Sequence, residues 1–138
     1  MEKRELVKKA LEAREMAYTP YSHHKVGAAL LTKEGKVYLG CNIESASYTP
    51  TNCAERTAFF KAVSEGEREF EAIAVVGGME GAKELGICAP CGVCRQVMME
   101  FCDPKTFEII LMDEKEELHV YTLEELLPLG FGPKNMGI

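Results

Sequence analysis

No apolar run in this chain is long enough to cross a bilayer. The longest, residues 26–31 and 72–76, fall far short of the ~20 residues a spanning helix needs. No apolar segment follows the charged start Met1-Glu2-Lys3-Arg4-Glu5, so no secretory signal is expected and the protein reads as cytoplasmic. Basic charge is also in deficit. The 16 Lys and Arg face 22 Asp and Glu, for a formal net charge of -6, which argues against a surface built to hold nucleic acid. No block of like charge forms a tail. There is no internal repeat, low-complexity stretch or linker to divide the chain, so residues 1–138 are expected to form one domain with its own apolar core.

Six cysteines are present: Cys41, Cys53, Cys88, Cys91, Cys94 and Cys102. A chain of this length does not need disulfide staples, and in a reducing compartment metal binding or catalysis is the better use of thiols. The most informative pattern is Cys53-Ala54-Glu55 followed by Pro90-Cys91-Gly92-Val93-Cys94. A Cys-x-Glu followed later by Pro-Cys-x-x-Cys is the arrangement expected of a zinc-dependent nucleobase deaminase. Three thiolates would hold the metal and leave one coordination position open, as a catalytic site requires. Glu55, two residues from the first ligand, is then placed to move protons.

The periodicity puts these residues on elements. Residues 2–18 read as an amphipathic helix, with Leu6, Val7, Ala10, Leu11, Ala13 and Ala17 at helical spacing. Glu5 and Lys9 would form an i,i+4 pair on its exposed side. Residues 26–32 and 36–43 read as strands joined by a hairpin loop at Lys33-Glu34-Gly35. Residues 45–52 read as loop, 53–65 as a helix stopped by Gly66, and 72–76 as a strand buried on both faces. A loop to Pro90, a helix over 91–101, strands over 107–112 and 118–121, and a short helix over 123–127 complete the order. That order implies one mixed sheet covered by helices on both faces.

On this reading both cysteine clusters sit at helix starts, where free N–H groups and the positive end of the dipole favour thiolates. Three thiolates on Zn²⁺ carry excess negative charge, and Arg56 and Arg95 are the candidate donors that offset it. Two other metal readings compete. In a structural zinc site Cys88 or Cys102 would supply a fourth ligand and Glu55 would be an ordinary first-turn acid. In an iron–sulfur site the Cys88, Cys91 and Cys94 spacing would begin a ferredoxin run, but the Cys-Pro that completes it is missing. Pro90 favours a helix beginning near Cys91.

The chain closely resembles the small cytidine deaminases with three cysteine ligands. The likeness runs nearly end to end, through Tyr18-Thr19-Pro20-Tyr21-Ser22, Val26-Gly27-Ala28-Ala29-Leu30, Gly40-Cys41-Asn42-Ile43-Glu44, Cys53-Ala54-Glu55-Arg56-Thr57-Ala58, Pro90-Cys91-Gly92-Val93-Cys94-Arg95-Gln96 and Glu125-Leu126-Leu127-Pro128. The resemblance implies a three-layer α/β/α fold with a five-stranded mixed sheet, one zinc per chain and a homotetramer with shared active sites. It implies hydrolytic deamination of cytidine and 2′-deoxycytidine in pyrimidine salvage, with Glu55 as the catalytic acid–base. It assigns Asn42 and Glu44 to the ribose 3′-hydroxyl and Ala54 to the ring O2. Ala46 and Tyr48 would reach the 5′ end from a neighbouring subunit, and Phe131 would close over the base from another. Arg56 is implied as a donor to the zinc thiolates. Without the resemblance, Asn42 and Glu44 read as strand-closing residues and Phe131 as a core plug. In one place the chain departs from the pattern: His24 stands where the family has a Phe packing on the pyrimidine. An imidazole is smaller, polar and titratable, so a modified nucleoside, as in blasticidin-type deaminases, is the alternative substrate class.

Overall fold

A computed structural model describes residues 1–138. Five strands form one sheet: β1 (His24–Thr32), β2 (Val37–Cys41), β3 (Phe70–Met79), β4 (Glu108–Met112) and β5 (Leu118–Thr122). Their order is β2-β1-β3-β4-β5, with β3 and β4 parallel and every other neighbouring pair antiparallel. The helices are α1 (Lys3–Arg14), α2 (Ala54–Ser64), α3 (Gly92–Phe101) and α4 (Leu123–Leu126), and a 3-10 turn spans Pro133–Met136. No helix is long and apolar enough to cross a membrane.

Side-chain alternation along the central strands builds both faces of the sheet. Ala28 and Leu30 of β1, Ile73 and Val75 of β3, and Ile109 and Leu111 of β4 point into a core with Ala58 and Phe59 of α2 and Met98 of α3. The alternate residues Ala29, Leu31, Ala72, Ala74, Val76 and Ile110 pack on Leu6, Val7 and Ala10 of α1. Two apolar faces explain why these strands read as continuous hydrophobic runs rather than alternating ones. Phe59 anchors the first core, with Phe70 edge-on at 5.1 Å and Phe107 and Phe101 at 6.0 and 6.3 Å.

The fold class expected from the sequence is observed, with differences at element ends. The first helix stops at Arg14, short of residue 18. Arg14 turns its guanidinium onto the carbonyls of Lys25, Gly78 and Met79 at 3.0, 2.9 and 3.1 Å. The chain beyond is drawn off the helical path because Tyr18 N–H donates to Asn42 O at 3.0 Å. Ala17 therefore lies outside the helix and is only half-buried. Glu5 and Lys9 form no ion pair; from this helix it is Lys3 that reaches a carboxylate, Glu108, at 3.6 Å. The third strand is longer than its apolar centre at 72–76, because it pairs with β1 all the way from Thr32↔Phe70 to His24↔Met79.

Two glycines let helices approach the sheet closely. A Cβ on Gly27 would fall 2.1 Å from the Ala10 carbonyl oxygen, and one on Gly40 would fall 2.4 Å from Ala54 O and 2.5 Å from Ala58 N. The second contact fixes the height of the first turn of α2 over β2. Gly40→Ala would push against the backbone of α2 and the Ala58 Cβ, so it should cost about 1–3 kcal/mol as an overpacking change. The check is the denaturant midpoint, which should fall with the m-value unchanged.

Candidate active site and metal centre

The N-termini of α2 and α3 meet at one point. Cys53 is the N-cap of α2 and Cys91 the N-cap of α3, both in extended backbone, and Cys94 lies in the first turn of α3. Cys53 Sγ stands 3.8 Å from Cys91 Sγ, which stands 3.6 Å from Cys94 Sγ. All three sulfurs lie within 4.8 Å of one another. A tetrahedral zinc with metal–sulfur bonds of about 2.3 Å would hold its sulfurs about 3.8 Å apart, so the donor set fits the metal.

The electrostatics point the same way. The hydrogen bond with Cys94, then those with Arg56 and Cys91, pulls the Cys53 thiol down to about 5. The same contact with Cys53, together with burial, pushes the Cys94 thiol up. Three sulfurs this close cannot all ionise without a cation among them, and thiolate ligation releases those protons. Arg56 Nη2 donates to Cys53 Sγ at 3.2 Å. Its guanidinium is held ionised even more firmly than usual, chiefly by Cys53, and its Nε is buried without a hydrogen-bond partner. Arg95 does not share this task. Its Nε donates to Pro90 O at 2.7 Å and its Nη1 to Leu126 O at 2.6 Å, so it braces the start of α3 against α4.

No fourth cysteine joins the three-sulfur group. Cys88 and Cys102 lie outside the sulfur cluster. Burial raises the Cys88 thiol to about 11 and pushes the Cys102 thiol up as well. Cys88 packs by Gly77, and Cys102 belongs to the core under α3. Glu55 sits one residue into α2 and is only 4% exposed. Burial, with a smaller push from Cys53, raises its carboxyl to about 7. Ala54, beside it, is fully buried.

A second group of the expected residues lies where β1, β2 and the following loop cross. Ile43 bridges both Tyr18 and Asn52, so residues distant in sequence are strapped together. The Asn42 amide accepts from Val26 N at 2.9 Å and donates to the His24 carbonyl at 2.8 Å. Glu44 Oε1 accepts from Tyr21 N at 3.0 Å and Ser22 N at 3.1 Å, and Oε2 accepts from the Ser22 hydroxyl. These bonds, the hydroxyl foremost, hold the Glu44 carboxyl below the usual carboxylate range. Both residues thus close the backbone, as the plain reading of the sequence has it, and both keep hydrogen-bonding capacity to spare. An open depression of ≈ 400 Å³ beside Glu44 is lined by Tyr21, Ser22, Ser45, Tyr48 and Thr51.

The remaining expected residues are at the surface. Ala46 is exposed. Tyr48 is 74% exposed and takes a φ of 64°. Phe131 is 57% exposed and is tied to α3 through its carbonyl, which accepts from Gln96 Nε2 at 2.7 Å. The sequence does not single out Arg14, Ser22 or Thr51: Ser22 and Thr51 carry no periodic signal, and Arg14 is one of several charged residues on α1.

Known proteins resemble this chain throughout. The family described as "Cytidine and deoxycytidylate deaminase zinc-binding region" matches residues 1–109. The cytidine deaminase of Sporosarcina psychrophila is 47% identical over 136 residues, 99% of this chain and 96% of that protein. That of Halalkalibacterium halodurans is 49% identical over 136 residues, 99% of this chain and 98% of that protein. The crystal structure of cytidine deaminase from Burkholderia pseudomallei superposes with a TM-score of 0.86 at 50% identity, covering 95% of this chain and 100% of that one.

Elemental analysis separates the possible ligand registers. Cys53→Ala should lose most of its zinc, whereas Cys88→Ala should keep one zinc per chain. Stoichiometric metal in the first variant and loss in the second would reassign the ligands.

Proposed function

We propose that this chain, which belongs to the cytidine and deoxycytidylate deaminase family, hydrolyses cytidine and 2′-deoxycytidine to uridine and 2′-deoxyuridine with release of ammonia. Residues 1–138 act as one catalytic domain in pyrimidine salvage. The observation that carries this reading is the cluster of Cys53, Cys91 and Cys94 beside a buried carboxyl, Glu55, at one pair of helix ends.

Cys53, Cys91 and Cys94 hold one zinc, which when bound supplies the Lewis acidity that turns water into a nucleophile near neutral pH. Glu55 is the catalytic acid–base. It takes one proton from the attacking water and gives it to ring N3, then takes that water's second proton as the oxygen on C4 becomes the carbonyl and gives it to the 4-amino nitrogen, which leaves as ammonia. Its burial keeps bulk water from competing for that proton. Arg56 offsets the negative charge of the thiolates by donating to Cys53. The backbone at Ala54 holds the ring O2, and His24 covers the pyrimidine face. Asn42 and Glu44 receive the ribose 3′-hydroxyl. The depression beside Glu44 has no Lys or Arg in its lining, which favours a nucleoside over a phosphorylated nucleotide.

The finer reading of the assembly is a homotetramer whose sites are shared. Its support is the exposure of Tyr48 and Phe131, aromatic residues that a monomer leaves largely in water. Ala46 and Tyr48 then serve a neighbour's 5′ subsite and Phe131 covers the base in another. A cytoplasmic location suits the six unpaired cysteines.

Glu55→Gln is nearly isosteric but cannot carry protons. It should retain fold and zinc while losing at least about 10²–10⁴-fold in kcat; activity within a few-fold of the parent would remove Glu55 from the mechanism. The shared sites are tested by complementation. Phe131→Ala and Glu55→Gln subunits, each poorly active alone, should recover cytidine turnover when mixed, because some sites then draw both intact residues from different chains. Turnover equal to the sum of the separate variants would mean each site is built from one chain.

A further inference from the structure

Glu44 carries more hydrogen bonds than any other carboxylate that the sequence ties to substrate, and one of its donors has no place in the reading so far. Ser22 lines the depression beside Glu44. Its hydroxyl donates to Glu44 Oε2, and its oxygen accepts from the His24 backbone N–H at 3.0 Å. A serine hydroxyl has one proton and two lone pairs, so these contacts commit the proton to Glu44 and one lone pair to His24.

An ionised carboxylate only accepts, at about four lone-pair sites. The Tyr21 and Ser22 amides occupy Oε1, and the Ser22 hydroxyl occupies one side of Oε2. What remains is a single acceptor direction on Oε2, suited to one hydroxyl donor. The amides alone would leave Oε2 without a protein donor. The same serine oxygen pins the backbone of His24, the residue assigned to the base. One side chain therefore links the sugar side of the site to the base side.

We infer that Ser22 is a positioning residue for nucleoside recognition, aiming the free acceptor of Glu44 at the sugar hydroxyl and fixing that carboxylate relative to His24. This rests on the assignment of Glu44 to the ribose 3′-hydroxyl. Ser22 touches no reacting atom, so its removal acts on binding and leaves the proton transfers intact.

The test compares cytidine with 3′-deoxycytidine in the zinc-loaded parent, Ser22→Ala, Ser22→Thr and Glu44→Gln. Ser22→Ala should raise KM for cytidine about tenfold, as for the loss of a hydrogen bond to a charged group, with kcat within about twofold by the same argument. It should barely change KM for 3′-deoxycytidine, so the parent's preference for the hydroxylated sugar shrinks. Ser22→Thr restores the hydroxyl and should recover most of that preference. A Ser22→Ala variant that loses kcat, or that loses affinity equally for both substrates, would make Ser22 a merely structural residue and overturn the inference. If Glu44→Gln abolishes the preference while Ser22→Ala leaves it intact, the role of Glu44 stands and that of Ser22 falls. If Glu44→Gln leaves the preference intact, the sugar-carboxylate reading itself fails.

Discussion

The approach of two helix N-termini to one point is the constraint on which the rest of this structure depends. Cys53 and Cys91 occupy the N-caps of α2 and α3, where a serine or aspartate would ordinarily satisfy free amides. Neither cysteine makes a side-chain cap bond, so both sulfurs remain available to one another and to a metal. A helix terminus favours a nearby anion by about 0.3–1 kcal/mol, too little to keep three crowded thiols ionised. Structural zinc binding is worth on the order of 10–16 kcal/mol in small peptides, so the cation dominates and the helix ends mainly aim the ligands.

Holding two helix ends at that spacing is the task of the core beneath them. Gly40 lets the first turns of α2 lie against β2 without a side chain between. Phe59 then sets the helix against Phe70, Phe101 and Phe107, which come from β3, from α3 and from the residue just before β4. Cys94 and Met98 carry α3 into the same cluster. Arg95, donating to the Pro90 and Leu126 carbonyls, fixes the approach of the chain to Cys91. The polar half of the site is held differently. There the Tyr18–Ile43–Asn52 strap and the Asn42 and Glu44 side chains replace regular sheet pairing, so the backbone stays ordered without being covered.

A single chain brings the three sulfurs and Glu55 together completely and leaves the depression beside Glu44 open. Glu55 and Cys94 are sealed in the core, while Tyr48 and Phe131 stand in solvent. The difference follows from what each end must do. Proton transfer is strongest where water is excluded, whereas a nucleoside needs an entrance and an exit.

Much of this was written in the sequence. The Cys-x-Glu and Pro-Cys-x-x-Cys spacings named the three sulfurs and Glu55, because ligand spacing at a helix start is a local property. Strand and helix types were legible from apolar period, since side-chain alternation and helical repeat are also local. The element ends were not. Where α1 stops is decided by the pull of Arg14 on three carbonyls and of Tyr18 on Asn42, contacts between residues far apart in the chain. The full length of β3 depends on β1 lying beside it. Sequence spacing left Cys88 and Cys102 in contention as ligands and could not choose between Arg56 and Arg95. Packing separates them, by leaving both spare thiols out of the sulfur group and by turning Arg95 toward carbonyls and Arg56 toward sulfur. Residue type and spacing determine what chemistry a side chain can perform; only tertiary structure sets what it faces, because hydrogen bonds and metal bonds act over a few ångströms and the chain must first fold to bring their partners together.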